Sequence, residues 1–204
     1  LASNENPLGP SPKAIEVIHK MATEVHRYPD ATAHFLKQKM SQKLDLAPEQ
    51  IGFGNGADEI ITFIAAAFIH PGDEALVPTP TFIRYETCVQ MMGGKPINIP
   101  LKNWKLDLNA LKENINERTK MIFLCNPNNP TGTIVEREEL EEFLSHVPKH
   151  IIIVFDEAYY EYVTAKEYPD TLSYLKNSDR RIIILRTFSK IYGLAGLRIG
   201  YGLT

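Results

Sequence analysis

Several things are scarce in this sequence, and each scarcity closes a class of function. The only cysteines are Cys88 and Cys125, set in apolar surroundings without the paired spacing of a zinc site. Reduced thiols in a cytoplasmic protein are therefore the expectation, not a disulfide framework. No apolar run approaches the roughly 20 residues that cross a bilayer, so no membrane partner is expected. Basic residues are spread singly and the formal net charge is −3 at pH 7, which leaves no positive field for nucleic acid. Neither G-x-x-x-x-G-K-[ST] nor G-x-G-x-x-G occurs, removing the P-loop hydrolases and the dinucleotide fingerprint. His146 and His150 have helical spacing, but Pro148 between them breaks the helix that would align them, and His19, His26, His34 and His70 are scattered. No metal site is expected.

What is present is ordinary globular material: 204 residues, 44% hydrophobic and 23% charged, enough to bury a full core. Ser11 and Pro12 read as the cap and first position of a helix carrying Ala14, Ile15, Ile18, Met21 and Ala22 at helical spacing. "RYPD" interrupts the chain, and Phe35, Leu36, Met40 and Leu44 mark a second helix from about Thr32. Strand and helix then alternate: a strand at Ile51 to Gly54, a helix from Asp58 to about Phe68, "EALVP" as strand, "FIRYETCVQMM" as helix, "KPINIP" as strand. After a polar stretch around Trp104 come "KMIFLC" as strand, "EREELEEFLSHV" as helix, "IIIVFDE" as strand, a loop, and "RIIILRT" as strand. These near-continuous β-branched runs suit strands covered on both faces. The predicted fold is a three-layer α/β/α sandwich around a mostly parallel sheet, whose ligands gather where strands end.

Four such strand ends carry candidate chemistry. "GFGNGADEI" sets glycines before a helix, as a plain turn or as a phosphate cradle of free helix amides. "CNPNNPTG" closes a strand with two Asn-Pro steps, a rigid loop that can be structural or can present asparagine amides. "IIIVFDEAYYEY" drives an apolar run into Asp156 and Glu157 with Tyr159 just beyond. A carboxylate there suits a cation that must stay protonated, and a helix cap is the plainer alternative. "RTFSKIYGLAGLR" places Lys190 after a buried strand, beside Thr187, Ser189 and Arg198. Either Lys190 is a solvated charge, or desolvation frees its amine for imine chemistry while the hydroxyls and guanidinium hold a phosphate.

Taken in order, "SNENPLGPSPKA", "RYPD", "GNGADEII", "PTPTF", "CNPNNPTG", "FDEAYYEY" and "RTFSKIYGLAGLRIGYG" make a succession that resembles the fold-type I, pyridoxal-phosphate-dependent aminotransferases. The opening motif and the form of the lysine segment narrow the likeness to the branch acting on histidinol phosphate. The resemblance implies an aspartate aminotransferase-like large domain with pyridoxal 5'-phosphate as cofactor. In it Lys190 joins covalently to the cofactor aldehyde and Asp156 pairs with the pyridine nitrogen. Tyr159 and Asn129 hydrogen-bond the 3-oxygen, and Phe82 stacks on the ring. The amides of Ala57 and Asp58 hold the phosphate with Thr187, Ser189 and Arg198, and Tyr28 reaches it from the partner subunit of a homodimer. The implied partners are small molecules: histidinol phosphate, and 2-oxoglutarate or glutamate.

The implied domain plan is residues 1–30 as an N-terminal segment with the first helix and 31–204 as an incomplete cofactor-binding domain, with a small C-terminal domain absent. Because the chain opens on Leu1 and closes in "LRIGYGLT", it reads as the interior of a longer polypeptide. Its last strand is then expected to lack neighbours and expose an edge. Rival readings on the same scaffold are an aromatic amino-acid aminotransferase and a threonine-phosphate decarboxylase. A cofactor-sensing domain of a transcriptional regulator is the rival from another class.

Overall fold

The computed structural model describes residues 3–204. Seven strands form one sheet: β1 (Ile51–Asn55), β2 (Glu74–Thr79), β3 (Lys95–Pro100), β4 (Thr119–Cys125), β5 (Ile152–Asp156), β6 (Ile182–Thr187) and β7 (Ile199–Leu203). Their order across the sheet is β1-β7-β6-β5-β4-β2-β3. From β3 to β6 every pairing is parallel, while β7 runs antiparallel to both β6 and β1. The β-branched runs of β4, β5 and β6 are almost wholly buried, as strands covered on both faces must be. The edge strand β3 carries Pro96 and Pro100, where a missing ladder donor costs least.

The described residues form seven α-helices, all but the first packed against the sheet: α1 (Pro12–Met21), α2 (His34–Leu44), α3 (Gly56–Phe68), α4 (Arg84–Met91), α5 (Leu108–Glu113), α6 (Arg137–His146) and α7 (Thr171–Asn177). Strand alternation sorts the core into two clusters. Ile152 and Val154 of β5 join Ile60, Ile61 and Ile64 of α3 and Tyr85 and Val89 of α4. Ile153 and Phe155 join Met40 of α2, Leu111 of α5 and Leu140 and Phe143 of α6. The result is the expected three-layer α/β/α arrangement.

Three departures from the sequence reading have physical causes. First, β7 is not an exposed edge: it lies between β6 and β1, and Leu203 is fully buried. Its neighbours are the strand just before it and the first strand of the sheet, which returns antiparallel. Second, the polar stretch after Trp104 and the loop after Tyr162 each contain a short helix. Asp107 caps α5 through the Ala110 amide at 3.0 Å, and Asp170 caps α7 through the Ser173 amide at 3.2 Å; so few turns leave too little periodicity to read. Third, α1 is capped as expected, with Ser11 accepting from the Ala14 amide at 3.3 Å, yet none of its residues is buried. Ile15, Val17, Ile18 and Met21 face outward.

Candidate active site

Strand parity decides which side chains meet at the carboxyl ends of β4, β5 and β6. Cys125 is level with Asp156, and Asp156 with Leu185. Counting by twos from the core, Cys125, Asp156 and Thr187 continue the rows of the α3–α4 side, whereas Glu157 and Arg186 continue the rows of the opposite side. The first group borders a cavity of about 420 Å³ lined also by Ala57, Asp58, Phe82, Asn129, Tyr159, Ser189, Lys190 and Arg198. All ten residues singled out from this chain's own motifs therefore surround one space. Tyr28 does not: it is fully exposed and lies outside the lining.

At the floor, Asp156 is 4% exposed. Its Oδ2 accepts from the Tyr85 hydroxyl at 2.7 Å and its Oδ1 from the Ala158 amide at 3.0 Å. Burial pushes its pKa above the ordinary aspartate value, and these two bonds pull the other way. Both partners are neutral, and no cationic side chain of the described residues forms an ion pair with it. Burial and the neighbouring Asp156 charge push the Cys125 thiol up to about 12, so it is an uncharged wall of the cavity and not a nucleophile.

At the far end α3 begins with amides that have no side-chain cap, a natural anion cradle. Two glycines make this end possible. A Cβ at Gly56 (φ 75°) would lie 2.4 Å from Arg198 Nη2, and one at Gly200 would lie 2.2 Å from the Ala57 amide nitrogen, so β7 and the arginine can approach the helix only at glycine. Arg198, at a left-handed φ of 55°, donates from Nη1 to the Ala195 carbonyl at 3.2 Å and holds Nη2 3.6 Å from Asp58. Thr187 Oγ1 accepts from the Ser189 amide at 3.0 Å, which turns the chain so that buried Ser189 and half-buried Lys190 both face the cavity. Lys190 Nζ donates to the Ser3 carbonyl at 2.9 Å and lies 5.4 Å over the Tyr159 ring.

The Asn-Pro loop is braced from within. Asn126 donates to the Val135 carbonyl and accepts from the Val135 amide, and Asn128 donates to Thr131 and accepts from Thr81. With both of these amides occupied structurally, Asn129 is the loop asparagine left at the cavity wall. Sequence reading missed Tyr85, Cys125, Ser3 and Glu5 as lining residues. Tyr85 sits one helical turn after Phe82, and that spacing was its only signal, indistinguishable from a core position. Asn4, which donates to the Tyr159 hydroxyl at 2.9 Å, stands in the opening "SNENP" motif, but nothing in that motif tied it to the cavity.

A buried lone carboxylate, an amine and the start of a helix surround one cavity at the ends of parallel strands, where α/β proteins gather their ligands. The chain belongs to the class I and II aminotransferase family, whose model matches residues 1–204. It is 50% identical over 202 residues to a histidinol-phosphate aminotransferase of Moorella thermoacetica, covering 99% of this chain and 52% of that one. It is 51% identical over 203 residues to one of Caldicellulosiruptor saccharolyticus, covering 100% and 56%. Among solved structures it is similar to histidinol-phosphate aminotransferase from Sinorhizobium meliloti in complex with pyridoxal-5'-phosphate. That likeness has a TM-score of 0.90 at 29% identity, over 99% of this chain and 55% of that one. The chain spans about half the length of the curated relatives it matches. No helix among the described residues is long and apolar enough to cross a membrane, and no group of three or more His, Cys, Asp or Glu there could hold a metal.

Proposed function

We propose that the protein to which this chain contributes transfers the amino group between L-histidinol phosphate and 2-oxoglutarate, giving imidazole-acetol phosphate and L-glutamate, with pyridoxal 5'-phosphate as cofactor. The observation that carries this reading is Asp156, a carboxylate buried at the cavity floor with only neutral donors of its own chain. Such a group calls for an external cation, and a protonated pyridine nitrogen supplies one. The rest of the cavity fits the same group. Phe82 offers a flat apolar face, Asn129 and Tyr159 offer hydrogen bonds, and the α3 amides with Thr187, Ser189 and Arg198 suit a phosphate.

When bound, the cofactor supplies an electron sink for carbanionic charge. The chain's residues do the remainder. Asp156 keeps the ring nitrogen protonated, and the grips at α3 and Arg198 fix the ring's register. Lys190 Nζ would hold the cofactor aldehyde and, as a free amine, would move the proton at the amine-bearing carbon of the substrate. Residues 31–204 act as the cofactor-binding domain and 1–30 as an N-terminal segment. The full protein works as a cytoplasmic homodimer, in which a second copy covers the outward apolar face of α1 and receives Tyr28.

The test is an absorbance spectrum of the full-length protein with pyridoxal phosphate, then borohydride reduction and peptide mapping. A label on Lys190, absent from Lys190→Ala, is the expected result; a label elsewhere sinks the cofactor assignment. Steady-state rates with histidinol phosphate, phenylalanine and threonine phosphate then decide the substrate, and a preference for phenylalanine would replace it with an aromatic amino acid.

A further inference from the structure

We propose that Tyr85 is a positioning residue for Asp156, its buried hydroxyl orienting the carboxylate toward the cavity and keeping it ionised. This rests on reading Asp156 as the group that meets the cofactor's ring nitrogen. The geometry allows Asp156 little freedom. One oxygen is tied to the Tyr85 hydroxyl at 2.7 Å and the other to the Ala158 amide at 3.0 Å, so the carboxylate plane is fixed from two elements. Each oxygen keeps lone-pair capacity for a donor arriving from the cavity.

Tyr85 is itself held. Its ring stacks on Phe123 at 4.7 Å between centroids and 12° between planes, and it meets Phe82 edge-on at 5.7 Å. One side chain therefore touches both the carboxylate and the aromatic ring proposed to lie against the cofactor. The titratable groups facing Asp156 are Tyr85 from α4, Cys125 from β4, Asp58 from α3 and Lys190 beyond β6. Tyr85 and Cys125 are buried and held in their neutral forms, while Asp58 and Lys190 line the partly open side. Of these groups, Tyr85 alone makes a direct hydrogen bond to the carboxylate. A tyrosine hydroxyl buried against a carboxylate donates its proton without surrendering it, because ionising it would place two negative charges 2.7 Å apart.

The alternative is that the hydroxyl merely satisfies a core tyrosine. Titration separates the two. In the full-length protein stripped of cofactor and labelled with carboxyl-¹³C aspartate, the Asp156 signal is assigned by its loss in Asp156→Asn and followed against pH. Tyr85→Phe keeps the ring and its stacking and is expected to raise the Asp156 midpoint by about one pH unit, the worth of one hydrogen bond to a charged group. The acid limb of pyridoxal phosphate binding moves up with it. Phe123→Leu removes the stacking partner, keeps the hydroxyl, and is expected to lower Tm while leaving the midpoint in place. Incorporation of 3-fluorotyrosine at position 85 alone, which makes the hydroxyl a stronger donor at the cost of one ring fluorine, moves the midpoint down. An unmoved midpoint in Tyr85→Phe, or an equal shift in Phe123→Leu, overturns the proposal. A wild-type protein that binds no pyridoxal phosphate refutes the function above, while the Asp156 titration still decides the role of Tyr85.

Discussion

Asp156 and Glu157 are adjacent, both buried and both raised in pKa by burial, yet they belong to opposite faces of the sheet and to opposite kinds of site. Glu157 is fully provided for within the chain. Its Oε2 accepts from Arg186 Nε at 2.9 Å and Nη2 at 2.8 Å, and its Oε1 accepts from the Thr171 hydroxyl at 2.5 Å and, more distantly, from Tyr168. The Arg186 guanidinium in turn lies 4.0 Å over the Tyr160 ring. Asp156 has only a hydroxyl and an amide. The comparison teaches how the carboxylate proposed to bind differs from the structural one: similar burial, but no cationic partner on the side that opens to the cavity.

The largest expected effect breaks the Asp156 side. Asp156→Asn in the full-length protein keeps the shape and removes the charge, so transamination should fall by about 10²–10³-fold, the scale for losing one preorganised electrostatic partner. Stability without cofactor should hardly suffer. It should become less sensitive to pH rising from the ordinary aspartate value: a raised carboxylate ionises first in the unfolded chain, so its contribution is present at low pH and is lost as the pH rises through the folded value. A large loss of fold with intact turnover would reverse the assignment of the two carboxylates.

Glu157 should respond the other way. Arg186→Leu leaves a buried carboxylate unpaired and is expected to cost about 3–5 kcal/mol in denaturant unfolding, while Glu157→Leu with Arg186→Leu together recovers much of that loss. The effect on the cofactor spectrum should be secondary, arising only through the turn from Glu157 to Tyr160 that carries Tyr159. If the double variant is as unstable as the single one, the pair is not a self-contained unit.

How much of this contrast was legible in the sequence follows from the same parity. The apolar run into "DE" places both carboxylates at a strand end because a buried strand is local and periodic, whereas the cavity's other walls were named through the resemblance of the loop motifs to a known family. Tyr85 and the Glu157–Arg186 pair were not legible. Each depends on strands or helices distant in sequence meeting level with one another, which no local pattern encodes. The short helices α5 and α7 and the interior place of β7 escaped for the same reason: β7 is sheltered by β1, far earlier in the chain.

A third buried carboxylate sharpens the comparison at the opposite end of the sheet. Glu74 opens β2 and is 3% exposed, with Asn116 donating at 2.8 Å and Arg118 Nη2 at 2.9 Å, and with Lys95 4.0 Å away. The Asn116 hydrogen bond, followed by Arg118 and Lys95, outweighs burial and lowers its pKa. Its contribution to stability is therefore present above the ordinary glutamate value of about 4.3 and is lost as the pH falls below it. Glu74→Gln should cost about 1.5–3 kcal/mol near neutrality, the worth of hydrogen bonds to a charged group, and less at pH 3, as the pH falls toward the lowered folded value, read from urea midpoints across that range. A constant cost at both pH values would mean that Glu74 serves by shape alone. Its lowered pKa would then no longer mark a carboxylate satisfied by its own chain, the very state that Asp156 lacks.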